Sequence, residues 1–142
     1  MNRRLLLAFI CLLVVPQVNV LRAASASDLL IVSLQAELGL TRAQATSGVG
    51  ALLALARRRL DPEEFTVVEN AVPDGDRYLK LAHAQRVVTT PPDSADAFME
   101  LLQHRIGISP EAAVKFGPAV IVFVARRGEE DAGELLVAAL GL

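Results

Sequence analysis

Displaced by 68 residues, positions 27–72 of this chain lie over 95–140 without a gap, and nine of the 46 pairs are identical. Leu38-Gly39-Leu40-Thr41 falls on Ile106-Gly107-Ile108-Ser109, Arg58-Arg59 on Arg126-Arg127, and Asp28, Leu34 and Gln35 on Asp96, Leu102 and Gln103. Many other pairs exchange one apolar residue for another, as expected when a duplicated unit keeps its interior and changes its surface. The expectation is a single all-α domain of about six helices. It would be built from two pseudo-twofold-related three-helix repeats at 27–72 and 95–140, joined by a connector at 73–94.

The punctuation within each repeat is helical. Ser27 stands where it can cap a first helix whose apolar positions Leu30, Leu34 and Leu38 recur every fourth residue, and Gly39 can supply the left-handed residue that ends it. Thr41 with Gln44 has the form of a capping box, opening a second helix that runs to Arg59. Asp61-Pro62-Glu63-Glu64 reads as N-cap, proline in the first turn and acidic start of a third helix, which turns Phe65, Val68 and Val72 inward before Pro73 stops it. In the connector, Asp74-Gly75-Asp76 is a turn, Tyr78, Leu79 and Leu81 belong to a short helical piece, and Thr89-Thr90-Pro91-Pro92 excludes regular helix. Asp93 or Ser94 then caps a fourth helix that Gly107 closes. Ser109-Pro110-Glu111 opens a fifth that ends at Gly128, and Glu129-Glu130-Asp131 opens the last.

Local propensity disputes one stretch. Positions 119–125 form an apolar run rich in β-branched residues, which alone would read as a buried strand. The repeat lays this run on the helix formers of 51–57, so helix is expected, and a helix apolar on every side belongs at the centre of the fold or at an oligomer interface. The central position is the expectation. The same two helices carry helix-weakening residues at matched places, Gly48 and Gly50 in one and Gly117 and Pro118 in the other, with Gly50 lying over Pro118. Two helices weakened at one point make sense if they cross there, so Gly48, Gly50, Gly117 and Pro118 are expected at a crossing of the second and fifth helices near the pseudo-twofold axis, with a kink or restart at Pro118.

Residues 1–26 read as a cleaved secretory leader: Arg3 and Arg4 precede an apolar run from Leu5 to Val15, and Ala24-Ser25-Ala26 has the small-x-small form of a processing site. Retention of this segment as an anchor is the alternative. Cleavage near Ala26 would place the protein in the periplasm or beyond, with 116 residues and without Cys11, the only cysteine. Neither a disulfide nor a thiol nucleophile would then be present, so packing alone must stabilise the domain. Without Arg3, Arg4 and Arg22, eleven basic residues face 16 acidic ones, a formal net charge of −5 that argues against nucleic acid as a partner.

The segment 44–53, Val72-Pro73, and Lys115-Phe116-Gly117-Pro118 give the chain a likeness to a known family. It resembles the VcgC/VcgE-type uncharacterised exported bacterial proteins, a domain of unknown function, along nearly all of the mature chain. The family pattern has a Gln-Ala-x-Gly-Gly-x-Gly-Ala-type segment, a Val-Pro ending a helix, and a Lys-Phe-x-Pro segment. Ser47 stands where that pattern has a glycine, and Asp74-Gly75-Asp76 where it has a glycine just after the proline. The resemblance implies a small exported helical protein and transfers no functional residue.

The chemistry-bearing residues are few and scattered. His83 lies in the connector and His104 near a helix end, where a solvated or capping histidine is the expectation. No His-x-x-x-His, Cys-x-x-Cys or Glu-x-x-His spacing occurs, and Asp74-Gly75-Asp76 lacks the further ligands of a calcium loop, so neither a metal nor another cofactor is expected. Ser47, Ser94, Thr89 and Thr90 do not form a nucleophile elbow. Arg57-Arg58-Arg59 and Arg126-Arg127 are expected to be solvated and paired with the acids that follow them; contact with a membrane surface or an acidic partner is the alternative. The function expected is therefore an exported, non-enzymatic interaction or envelope-associated module, acting on a protein partner or as a homo-oligomer. The alternative is a carrier that holds a lipid or other small apolar ligand among Leu52, Leu55, Val120 and Phe123.

Overall fold

The computed structural model describes residues 25–142, so the leader reading, Ser25 and Ala26 apart, lies outside the described residues. Seven α-helices follow in order: α1 (Ala26–Leu38), α2 (Arg42–Arg59), α3 (Pro62–Ala71), α4 (Gly75–Ala84), α5 (Ala95–Glu100), α6 (Pro110–Arg126) and α7 (Glu130–Leu140). α5 runs directly into a π-helical turn, Leu101–Arg105. No strand occurs among the described residues.

Side-chain caps set most of the helix starts. Thr41 and Asp61 each accept a backbone N–H three residues on, from Gln44 and Glu64, whose own side chains return the bond. Ser94 and Ser109 cap α5 and α6 through the N–H groups of Ala97 and Ala112. The first cap differs from the expectation: Ser25, two residues before Ser27, accepts the Asp28 N–H, and α1 begins at Ala26. Gly39, Gly107 and Gly128 all adopt positive φ, of 66°, 80° and 84°, where a side chain would be strained.

The connector folds more fully than the sequence suggests, which raises the helix count from about six to seven. Asp74 takes the left-handed conformation, and Gly75 and Asp76 form the first turn of α4 rather than a free turn. The Gly75 N–H donates to the Val72 carbonyl, so the chain reverses tightly after α3. Tyr78, Leu79 and Ala82 then face inward.

The central helix is α2, and the expectation that the fifth helix would take that place is corrected. Every residue from 48 to 56 is buried, whereas α6 buries Ala113, Phe116, Val120 and Val124 but leaves Val114 64% and Val122 45% exposed. α2 is enclosed by α4, its most extensive neighbour, together with α1, α3, α5 and α7. The apolar run 119–125 is helical as the repeat alignment required, and α6 continues unbroken through Pro118. Pro118 lies on the exposed side, where water can satisfy the Val114 carbonyl left without an amide partner.

The buried glycines serve three different neighbours. A β-carbon on Gly48 would strike the Phe116 ring of α6, and one on Gly117 would come within 2.6 Å of Leu140 Cδ1 in α7. At Gly50 the obstruction is backbone: a β-carbon would stand 2.5 Å from the Tyr78 carbonyl oxygen of α4. Of these three, Gly48 alone faces α6 or α2 across the expected crossing, through a ring in its path.

Asp28 links α1 to α2. Its carboxylate accepts from the Ser25 hydroxyl at 2.7 Å and pairs with Arg42 at 3.1 Å, and these contacts, the Ser25 bond foremost, hold its pKa below the usual 3.8. Folding thus favours the ionised carboxylate, so its stabilising effect is present above the ordinary carboxylate range and fades as pH falls through the lowered value. In a chain that retains Ser25, the Asp28 midpoint in an NMR titration should lie below 3.8 and move upward in Ser25→Ala.

Glycine substitution should have opposite effects at two sites. Gly50→Ala should lower stability by about 1–3 kcal/mol, because the α4 backbone must shift. Gly133→Ala should raise it by about 0.4–1 kcal/mol, since a β-carbon there meets Ala125 Cβ at an ordinary 3.8 Å. Urea unfolding of the two variants checks both signs.

Candidate functional site

Ser109 and Pro110 fix the start of α6, and the packing of Phe116 and Val120 fixes its rotation. With that rotation set, Val114, Pro118 and Val122, spaced four residues apart, form one outward ridge. Grooves flank the ridge on both sides. One, of about 150 Å3, is lined by Phe98, Met99, Gly117, Leu140 and the 70% exposed Leu142. The other, of about 280 Å3, is lined by Leu38, Ala119, Lys115, Arg126 and Glu37. The result is an apolar surface with charge at its edge.

A second feature lies where α2 and α4 end. Arg57, Arg58 and His83 line a groove of about 300 Å3 with Ala54 and Pro91. Arg57 and Arg58 are exposed and form no ion pair within 4.0 Å among the described residues, so the expected pairing with the following acids is corrected. Those acids have another use: Asp61 and Glu64 complete the cap of α3, and Glu130 and Asp131 occupy the first turn of α7. Arg59 donates to the Asp93 carbonyl at 3.3 Å, and Arg127 lies 5.6 Å over the Phe123 ring. Arg126 is exposed beside the α6 ridge. The two cationic groups at the end of α2 that lack partners complement its negative dipole end.

The other polar candidates stay apart. His83 is exposed at the end of α4 and His104 is exposed in the π turn. Thr89 accepts from Arg105 at 2.8 Å, and Ser94 is occupied as a cap. No group of three His, Cys, Asp or Glu side chains that could hold a metal occurs among the described residues. Leu52, Leu55 and Val120 are fully buried in the packed interior, and Phe123 lies partly buried beneath Arg127. The three grooves above are lined by other residues.

Residues 15–141 match the model of a family described as protein of unknown function VcgC/VcgE. The chain belongs to this family. No curated protein and no solved structure matches it. Sequence reasoning placed Gly117 and Pro118 of this VcgC/VcgE member at a helix crossing and missed the open ridge. Its signal was the pair Val114 and Val122, spaced equally about a proline in a helix that had been assigned to the centre.

If the arginines at the end of α2 have no internal structural duty, Arg57→Ala and Arg58→Ala should change stability by no more than about 0.5 kcal/mol each. Urea unfolding at low and moderate salt provides the measurement.

Proposed function

We propose that this VcgC/VcgE protein is an exported, non-catalytic interaction module, derived from two copies of a three-helix unit, that docks through the outer face of α6. The observation that carries the reading is the Val114, Pro118 and Val122 ridge, three exposed apolar residues in line on one helix with a groove on either side, where α1, α3 and α4 expose only Leu29, Val32, Val67 and Leu81 among their large apolar side chains. Contiguous exposed apolar surface of this kind marks interaction sites in soluble domains. The duplicated origin is supported by helix starts: α2 begins at Arg42 and α6 at Pro110, α3 at Pro62 and α7 at Glu130, each pair 68 residues apart. Export is supported by the charged, apolar and small-residue sequence of positions 3–26.

Native mass spectrometry of protein purified from its own compartment tests the reading. A second polypeptide or a homo-oligomer is expected, and Val122→Glu should abolish it. A bound small molecule on an otherwise monomeric chain would overturn the proposal in favour of a carrier, and a bare monomer would overturn it outright.

A further inference from the structure

Resting on the interaction reading, we infer that the occupant of the α6 face is a second copy of this chain, with two α6 helices packed antiparallel about a twofold axis beside Pro118. The 68-residue shift supplies the first argument. It places Thr46, Gly50 and Ala54 of α2 over Val114, Pro118 and Val122 of α6. On α2 the middle of this strip lies under a helix: Gly50 meets the Tyr78 carbonyl and Ala82 of α4, the buried Ala54 borders the same groove as His83, and Thr46 is half-buried. Among the described residues α6 packs against α7, α1 and the π turn, and Val114, Pro118 and Val122 are left exposed. The strip covered at its middle on one helix is therefore bare on its equivalent, and a second copy of α6 would take the place that α4 takes on α2.

Charge and register supply the second argument. Glu111 and Arg126 are both exposed and stand seven and eight residues from Pro118, at opposite ends of the ridge. At a helical rise of about 1.5 Å per residue they lie nearly equidistant from the proposed axis. Antiparallel pairing sets Val114 opposite Val122 of the second copy and brings each Glu111 to the other copy's Arg126. Parallel pairing would set Glu111 against Glu111 and Arg126 against Arg126, which is unfavourable. A ridge of residues four apart, flanked by grooves on both sides, also matches the ridge-into-groove geometry of helix packing. One helix pair buries less than a standard interface of roughly 1,600 Å2, so the dimer is a weak, reversible one.

Sedimentation velocity over rising concentration tests this on protein purified from its own compartment and carrying Cys11→Ser. The parent should move from monomer toward dimer, and Val122→Glu should stay monomeric while keeping its helical circular dichroism and melting point. Glu111→Arg should weaken association, and adding Arg126→Glu to it should restore association. Pro118→Cys should form a disulfide-linked dimer under mild oxidation, because residues on the axis come within disulfide reach, whereas Lys80→Cys on α4 should not. A parent that remains monomeric throughout, or one whose association is unchanged by Val122→Glu, would overturn the inference. If the parent stays monomeric but a different polypeptide co-purifies and is lost in Val122→Glu, the second copy is rejected and the interaction module stands. A co-purifying polypeptide retained in Val122→Glu would sink both readings.

Discussion

A helix hidden from water along its whole middle must be met by neighbours on every side, and the burial of α2 from residue 48 to 56 organises the rest of the fold. Helices α1, α3, α4, α5 and α7 pack against it, and the seam they share mixes small residues, Gly48, Gly50, Ala51, Ala54 and Ala56, with Val49, Leu52, Leu53 and Leu55. Small residues let helix backbones approach closely, and the larger core groups Phe98, Phe116 and Leu136 fill the spaces around that seam. Phe98 and Phe116 meet edge to face with ring centres 6.4 Å apart, joining α5 to α6 beside Gly48. Without a disulfide or a metal among the described residues, this packing is the main source of the domain's stability.

The sequence revealed local structure better than it revealed partners. Thr41, Asp61 and Ser109 were readable as helix starts, and Ser94 as one of two candidates with Asp93, because a cap is a short-range bond between residues three apart. Gly39, Gly107 and Gly128 were readable as stops for the equally local reason that positive φ suits them. Two features depended on tertiary contact and were not readable. The connector's helical piece became the full helix α4 because α2 offers it a surface, and the apolar run of α6 lies at the periphery because α2 already holds the centre. Apolar composition does not distinguish a helix enclosed by its own chain from one left open on one side.

The polar residues of the described chain serve mostly at helix ends. The acids after each arginine cluster complete or lead helix starts, leaving Arg57 and Arg58 solvated, and the two histidines stand apart on exposed helix ends. The surroundings of Asp28 favour its charge, and its pairing with Arg42 fastens α1 to the start of α2. Charge in this molecule arranges helices more visibly than it arranges a reaction centre. That division is why the candidate site was found on an apolar face and not among titratable groups.

Gly50 also acts as a notch that indexes α4. The Tyr78 carbonyl fits against α2 at the one point where no side chain intervenes. Sliding α4 by one turn in either direction would bring that oxygen against the methyl of Ala54 or the branched side chain of Thr46. Longitudinal slippage, the error to which smooth apolar helix pairs are prone, is therefore blocked by a missing atom, and the register of α4 on α2 is keyed to that single vacancy.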